Sequence, residues 1–159
     1  VHRASLCYDE RNRVIKRERT GIKRTKGRAV TELRLLIVDD LEHVRQGLRT
    51  ILELAGGLKV VGEAYDGLEA IQQVDQLQPD VVLMDLVMPQ LDGLEATERI
   101  KAQHPETGVV MISIHDTEET REQANKAGVD AFLPKGTDTE ILIQTIQEVG
   151  EGAQRMELR

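Results

Sequence analysis

Tryptophan is absent from this 159-residue chain, and only one phenylalanine and two tyrosines are present. The core therefore has to be aliphatic, and aromatic cages or base-stacking platforms are not expected as binding devices. The single cysteine, Cys7, excludes an internal disulfide and a multi-cysteine zinc site, and it fits a reducing compartment. None of the four histidines, His2, His43, His104 and His115, has a cysteine or a second histidine at ligand spacing, so a transition-metal site is not expected. Gly56–Gly57 lacks the spacing of a phosphate-binding loop and reads as a helix stop. No apolar run approaches the ~18–20 residues of a membrane span, and the N-terminus has no signal-peptide stretch. A soluble, cytoplasmic protein with no membrane partner is expected.

What is present divides the chain by charge. Residues 1–32 carry ten Lys or Arg against four Asp or Glu, hence +6, and residues 33–159 carry eleven against twenty-four, hence −13. The acidic part is a poor nucleic-acid surface, because phosphate contacts need clustered Lys and Arg. The basic part shows no sustained apolar period and reads as a disordered extension, at most a weak contact for DNA. It is expected to lie outside the folded domain. Translation from a later start is a further expectation, since the chain opens on Val1 and a second valine, Val30, stands just before the patterned region.

From Leu33 onward, short Val- and Ile-rich runs alternate with amphipathic stretches of helix length. The runs are Leu33–Val38, Leu58–Ala64, Val81–Met84, Val109–Ile114 and Ala131–Leu133. The first intervening helix shows Val44, Leu48, Ile51 and Ala55 along one face, and the second opens with Leu68, Ile71 and Val74 and ends before Pro79. The third covers about Gly93–Gln103, the fourth Glu118–Ala127 with Gly128 closing it, and the fifth Thr139–Val149 with Gly150 ending it. Residues 151–159 are then a C-terminal tail. Strict alternation predicts an α/β fold, a doubly wound parallel sheet of five strands with five helices, flavodoxin-like, in order 2-1-3-4-5.

Ligands of such sheets bind beyond the carboxyl ends of the strands, at the switch in strand order. There the first strand ends in Asp39–Asp40, the third in Asp85 and the fourth in Ser113, and the fifth runs into Lys135. Each has an ordinary role alone: Asp40 as a helix cap, Asp85 as a turn residue, Ser113 as a strand-end hydroxyl, Lys135 as a loop charge. Together they are different. Three crowded carboxylates repel unless a proton or cation intervenes, and oxygen ligands suit a hard ion such as Mg²⁺. A carboxylate beside Mg²⁺ can attack a phosphoryl group, with the hydroxyl and the ammonium meeting the transferred oxygens.

The blocks LLIVDD (Leu35–Asp40), VVLMDLVMPQLDG (Val81–Gly93), VVMISIHD (Val109–Asp116) and AGVDAFLPKG (Ala127–Gly136) resemble the receiver domain of two-component response regulators, over about 33–150. The resemblance implies that Asp85 is the phosphoacceptor and takes its phosphoryl group from a histidine kinase. It implies Mg²⁺ on Asp39, Asp40, Asp85 and the backbone carbonyl of Val87, Asp39 acting largely through water. Ser113 stands at the switch hydroxyl, Lys135 at the phosphate-pairing lysine and Phe132 at the switch aromatic. Ile114 is bulkier than the small residue usual after the hydroxyl and is expected to restrict Phe132. Gly136 replaces the proline usual after the lysine, which removes the usual basis for a cis bond there.

The implied function is a phosphoacceptor switch, not an enzyme in the ordinary sense, although it catalyses its own phosphoryl transfer and hydrolysis. It controls an output protein that the residues do not name, with a homodimer formed on phosphorylation as a further expectation. The motifs are similar to receivers that precede helix-turn-helix output domains; residues 151–159 are too few for one, which leaves a stand-alone receiver or a fragment of a DNA-binding regulator. The rival of another class is an aspartate-nucleophile phosphohydrolase. That chemistry would want its nucleophile after the first strand, whereas the acceptor block follows the third.

Overall fold

The computed structural model describes residues 7–8, 14–15 and 32–157. The chain divides into two units, Val1–Thr31 and Glu32–Arg159. In the first, β1 (Cys7–Tyr8) pairs antiparallel with β2 (Val14–Ile15), Cys7 opposite Ile15. That short pairing is not part of the reading of residues 1–32 as disordered; the rest of that reading lies outside the described residues.

The second unit alternates strictly: β3 (Leu33–Val38), α1 (Glu42–Leu54), β4 (Leu58–Ala64), α2 (Gly67–Leu77), β5 (Val81–Asp85), α3 (Gly93–Gln103), β6 (Gly108–Ser113), α4 (Glu118–Ala127), β7 (Ala131–Pro134) and α5 (Thr139–Glu157). The five strands of this unit form one parallel sheet ordered β4-β3-β5-β6-β7. Counted within the sheet, that is the expected 2-1-3-4-5. The central strands are hydrophobic on both faces, as a sheet covered by helices on both sides requires. Leu36 and Val38 point with Met84 and Met111 into a core shared with Val74 of α2 and Ile100 of α3. Leu35 and Ile37 point the other way, with Leu83 and Val110, onto Leu52 of α1 and Ile146 of α5.

Helix starts are set locally. Asp66 accepts the Glu69 N–H at 2.8 Å while Glu69 accepts the Tyr65 N–H at 2.9 Å, a reciprocal cap for α2. Asp92 caps α3 and Thr117 caps α4 without that return bond, their side chains accepting the N–H of Glu95 and Thr120. α1 differs: its N-cap is Leu41, which has no side-chain cap, so Asp40 does not cap this helix. Gly56, Gly57 and Gly128 have positive φ and stop their helices as expected.

Three details depart from the sequence pattern. Gly150 does not end α5, which continues to Glu157 and takes in most of the expected tail. Gly150 has no positive φ; a Cβ there would lie 2.6 Å from Leu33 Cδ1 and 3.1 Å from Val81 Cγ2, so the glycine lets the helix press against the sheet. On α1 the residue fully buried is Leu52, while Ile51 is 40% exposed and Ala55 lies beyond the helix as its exposed C-cap. Ile51 borders a hollow of about 260 Å³ between α1 and α5, which the apolar period alone does not reveal. Leu68 on α2 is also exposed. Among the described residues, no helix is long and apolar enough to cross a membrane.

Candidate functional site

Strand register assembles the site. β3 and β5 align Val38 with Met84, so Asp39 and Asp85 sit side by side at the carboxyl edge. β6 aligns Ile112 with Asp85, which puts Ser113 one step beyond, and β7 aligns Pro134 with Ser113. The Lys135 N–H then donates to the Ser113 carbonyl at 2.8 Å.

One oxygen from each of Asp39, Asp40 and Asp85 falls within 4.8 Å of the others. Asp39 and Asp85 are buried and Asp40 is exposed, so the cluster opens to solvent at Asp40. Lys135 Nζ lies 3.1 Å from Asp39 Oδ2 and 3.2 Å from Asp85 Oδ2. Burial pushes the Asp85 carboxyl above its ordinary range, with the Asp39 charge adding to it; the Lys135 ammonium and the Val87 N–H pull the other way and do not cancel it. Burial by itself would lower the Lys135 pKa, but the hydrogen bond to Asp39 and the Asp85 charge prevail and raise it. Three carboxylates facing one ammonium leave an excess of negative charge, and an all-oxygen donor set suits a hard divalent cation.

Glycines let the loops crowd this edge. A Cβ on Gly93 would collide with the main-chain oxygen of Asp85, and Gly93 N–H donates to Leu86 O at 2.8 Å, folding the β5–α3 loop back beside the acid. Gln90 takes the left-handed turn within that loop, at φ 65°.

Ser113 is buried, and its Oγ accepts the His115 N–H at 2.9 Å. His115 and Val87 are both exposed at the rim. Ile114, expected to restrict Phe132, is 73% exposed. Phe132 is partly buried against the α2–α3–α4 core. Every described peptide bond is trans, those flanking Lys135 included.

Two arginines join the site without a signal in the sequence pattern. Arg121 of α4 lies over the Phe132 ring, 5.0 Å from its centroid, and grips Asp116 with two hydrogen bonds. Arg45 of α1 donates to the main-chain oxygen of Asp39 at 2.7 Å. Both contacts join different elements, and neither residue interrupts its helix period.

Comparison with known proteins places the fold and the sequence in a family. Residues 35–147 match the family model described as the response regulator receiver domain. The chain is 34% identical over 121 residues to the transcriptional regulatory protein DegU of Brevibacillus brevis, covering 76% of this chain and 51% of that protein. It is 37% identical over 120 residues to the response regulator GacA of Pseudomonas viridiflava, covering 76% and 56%. It thus spans about half the length of these curated relatives. The signal receiver domain of the putative response regulator NarL from Mycobacterium tuberculosis superposes with a TM-score of 0.73 at 31% identity, covering 76% of this chain and 98% of that one. With the matched segment running from the strand before Asp39–Asp40 into α5, the chain belongs to the response regulator receiver domain family.

Proposed function

We propose that this receiver is a phosphoacceptor switch in which Asp85 takes a phosphoryl group from a phosphohistidine of a histidine kinase. The observation that carries the reading is the buried Asp85 carboxylate at the end of a central strand, 3.2 Å from Lys135 Nζ and clustered with Asp39 and Asp40. An Asp85 oxygen attacks phosphorus, the P–N bond breaks, and its electron pair stays on the donor imidazole, which takes up a proton from solvent. Return to the resting state is attack by water, giving inorganic phosphate and the free carboxylate. Asp39, Asp40, Asp85 and the Val87 carbonyl would hold Mg²⁺, which supplies charge compensation for the phosphoryl oxygens.

Lys135 exchanges its carboxylate partner for a phosphoryl oxygen on modification. Ser113 Oγ, now an acceptor from His115 N–H, turns to donate to another. Loss of the His115 bond frees the β6–α4 loop, and Phe132 is the neighbouring side chain that repacks. This shifts a two-state population instead of creating a new state. The transcriptional relatives support a cytoplasmic role in transcription control, with an output partner and phosphorylation-dependent pairing of two copies as parts of the proposal. The position of the acid after the third strand of the sheet favours this over a phosphohydrolase.

The test is mass measurement after incubation with a small acyl-phosphate donor and Mg²⁺. One phosphoryl group, labile to base and hydroxylamine and absent from Asp85→Asn, is expected. Undiminished modification of Asp85→Asn would overturn the assignment.

A further inference from the structure

The turn that presents Asp39 and Asp40 is held from behind by a residue outside the acid cluster. Arg45 stands one turn into α1 with its side chain 14% exposed. One amino nitrogen donates to the Asp39 main-chain oxygen at 2.7 Å, and Nε donates to Glu63 Oε2 at 3.1 Å. Glu63, on β4, also accepts from Arg49 Nε at 2.7 Å. A planar fork thus ties the start of α1 to β4 and to the end of β3 at once.

The Asp39 N–H donates to the Ala64 carbonyl at 3.1 Å on the strand side of the turn, and the restraints beyond it use the carboxylate itself. Asp39 Oδ1 accepts the Leu41 N–H at 2.9 Å, and Oδ2 accepts from Lys135 at 3.1 Å. A cation drawing on those oxygens competes with both bonds, and α1 has no side-chain cap to take over. The Arg45 bond goes to the main-chain oxygen instead, so it persists whatever the carboxylate is doing.

We propose that Arg45 is a positioning residue for a divalent cation at the acid cluster, acting through the Asp39 carbonyl and itself anchored by Glu63. The inference rests on the phosphoacceptor reading and adds a residue to it. Charge and positioning predict opposite signs. Removing a guanidinium near a cation site makes the local potential more negative, which by itself tightens Mg²⁺ binding. Loosening the turn weakens it, because groups that orient metal ligands typically contribute on the order of 10-fold in affinity.

The experiment is calorimetric titration of the full chain with magnesium chloride, on the parent, Arg45→Gln, Arg45→Lys and Arg49→Gln, with melting curves in chelator to establish folding. Arg49→Gln removes a bond to the same Glu63 but touches nothing at Asp39. The expected result is an Mg²⁺ Kd raised about 10-fold in Arg45→Gln, raised less in Arg45→Lys, and parent-like in Arg49→Gln. Unchanged or tighter binding by folded Arg45→Gln, or an equal loss in Arg49→Gln, would overturn it. Should Arg45→Gln not fold, Arg45→Lys carries the test, and parent-like binding there overturns the proposal. A parent that binds no Mg²⁺ would sink the function reading itself, a result distinct from a binding parent with unaffected variants.

Discussion

Lys135 Nζ lies 3.2 Å from Asp85 Oδ2, although the lysine follows β7 and the acid ends β5, with β6 between them. The lysine side chain is only 27% exposed and faces two buried carboxylates. Removing it leaves both acids without their ammonium, a loss of the kind that unpaired buried charge causes. Lys135→Met is expected to lower metal-free stability by about 1–3 kcal/mol. Mg²⁺ should restore more of it than it adds to the parent, and phosphorylation should slow. Denaturant melts with and without Mg²⁺ check this, and an equal Mg²⁺ response in both proteins contradicts it.

Asp85→Asn should behave in the opposite sense. Burial, with Asp39 beside it, raises the Asp85 pKa, so ionisation is less favourable in the folded site than in the unfolded chain. Near neutral pH the ionised group therefore weighs against folding, and a neutral isostere removes that burden. A metal-free melting temperature higher by on the order of 2 °C is expected, together with weaker Mg²⁺ binding and no phosphoryl uptake. Differential scanning calorimetry in chelator decides it.

Glu63 gives the acid-side dependence. Burial tends to raise its pKa, but hydrogen bonds from Arg49 and Arg45 outweigh burial and depress it. The stabilisation is thus complete above the unfolded-state value and disappears as pH falls through the depressed folded value. Glu63→Gln should cost about 1 kcal/mol near neutral pH and nothing at strongly acidic pH. Melting temperatures of the two proteins should converge on acidification; a gap that persists unchanged would refute the linkage.

The Arg121 guanidinium over Phe132 is exposed, so its effect on stability is small, a melting shift of less than about 3 °C for Arg121→Gln. The expected change is in ring freedom. The chain has one phenylalanine, so its ring signals are unambiguous. Faster ring averaging in Arg121→Gln is expected by NMR, and an unaltered ring spectrum would show that the guanidinium does not restrain the ring.

The strands and most helix limits are legible because short Val- and Ile-rich runs and capping residues act locally. The convergence of Asp39, Asp40, Asp85 and Lys135 follows once the order 2-1-3-4-5 is assumed, since carboxyl ends fix where they lie. What escapes is set by neighbours across the fold. Gly150 reads as a stop by itself and becomes a packing device only when Leu33 and Val81 are opposite it. Ile51 fits the apolar period of α1, yet the burial falls on Leu52, because the space toward α5 is left partly open. Arg45 and Arg121 look like solvated helix charges until β4 and β7 supply their partners.

The register that gathers the acids has a kinetic consequence. Asp39 and Lys135 meet across 96 residues of sequence, through four strands each needing its correct neighbour. Parallel pairing of this range forms late, because chain closure has to precede the contacts that reward it. A growing or half-collapsed chain therefore has scattered aspartates but no acceptor pocket. On the phosphoacceptor proposal above, only finished molecules offer a site to modify, and incompletely folded copies carry no signal.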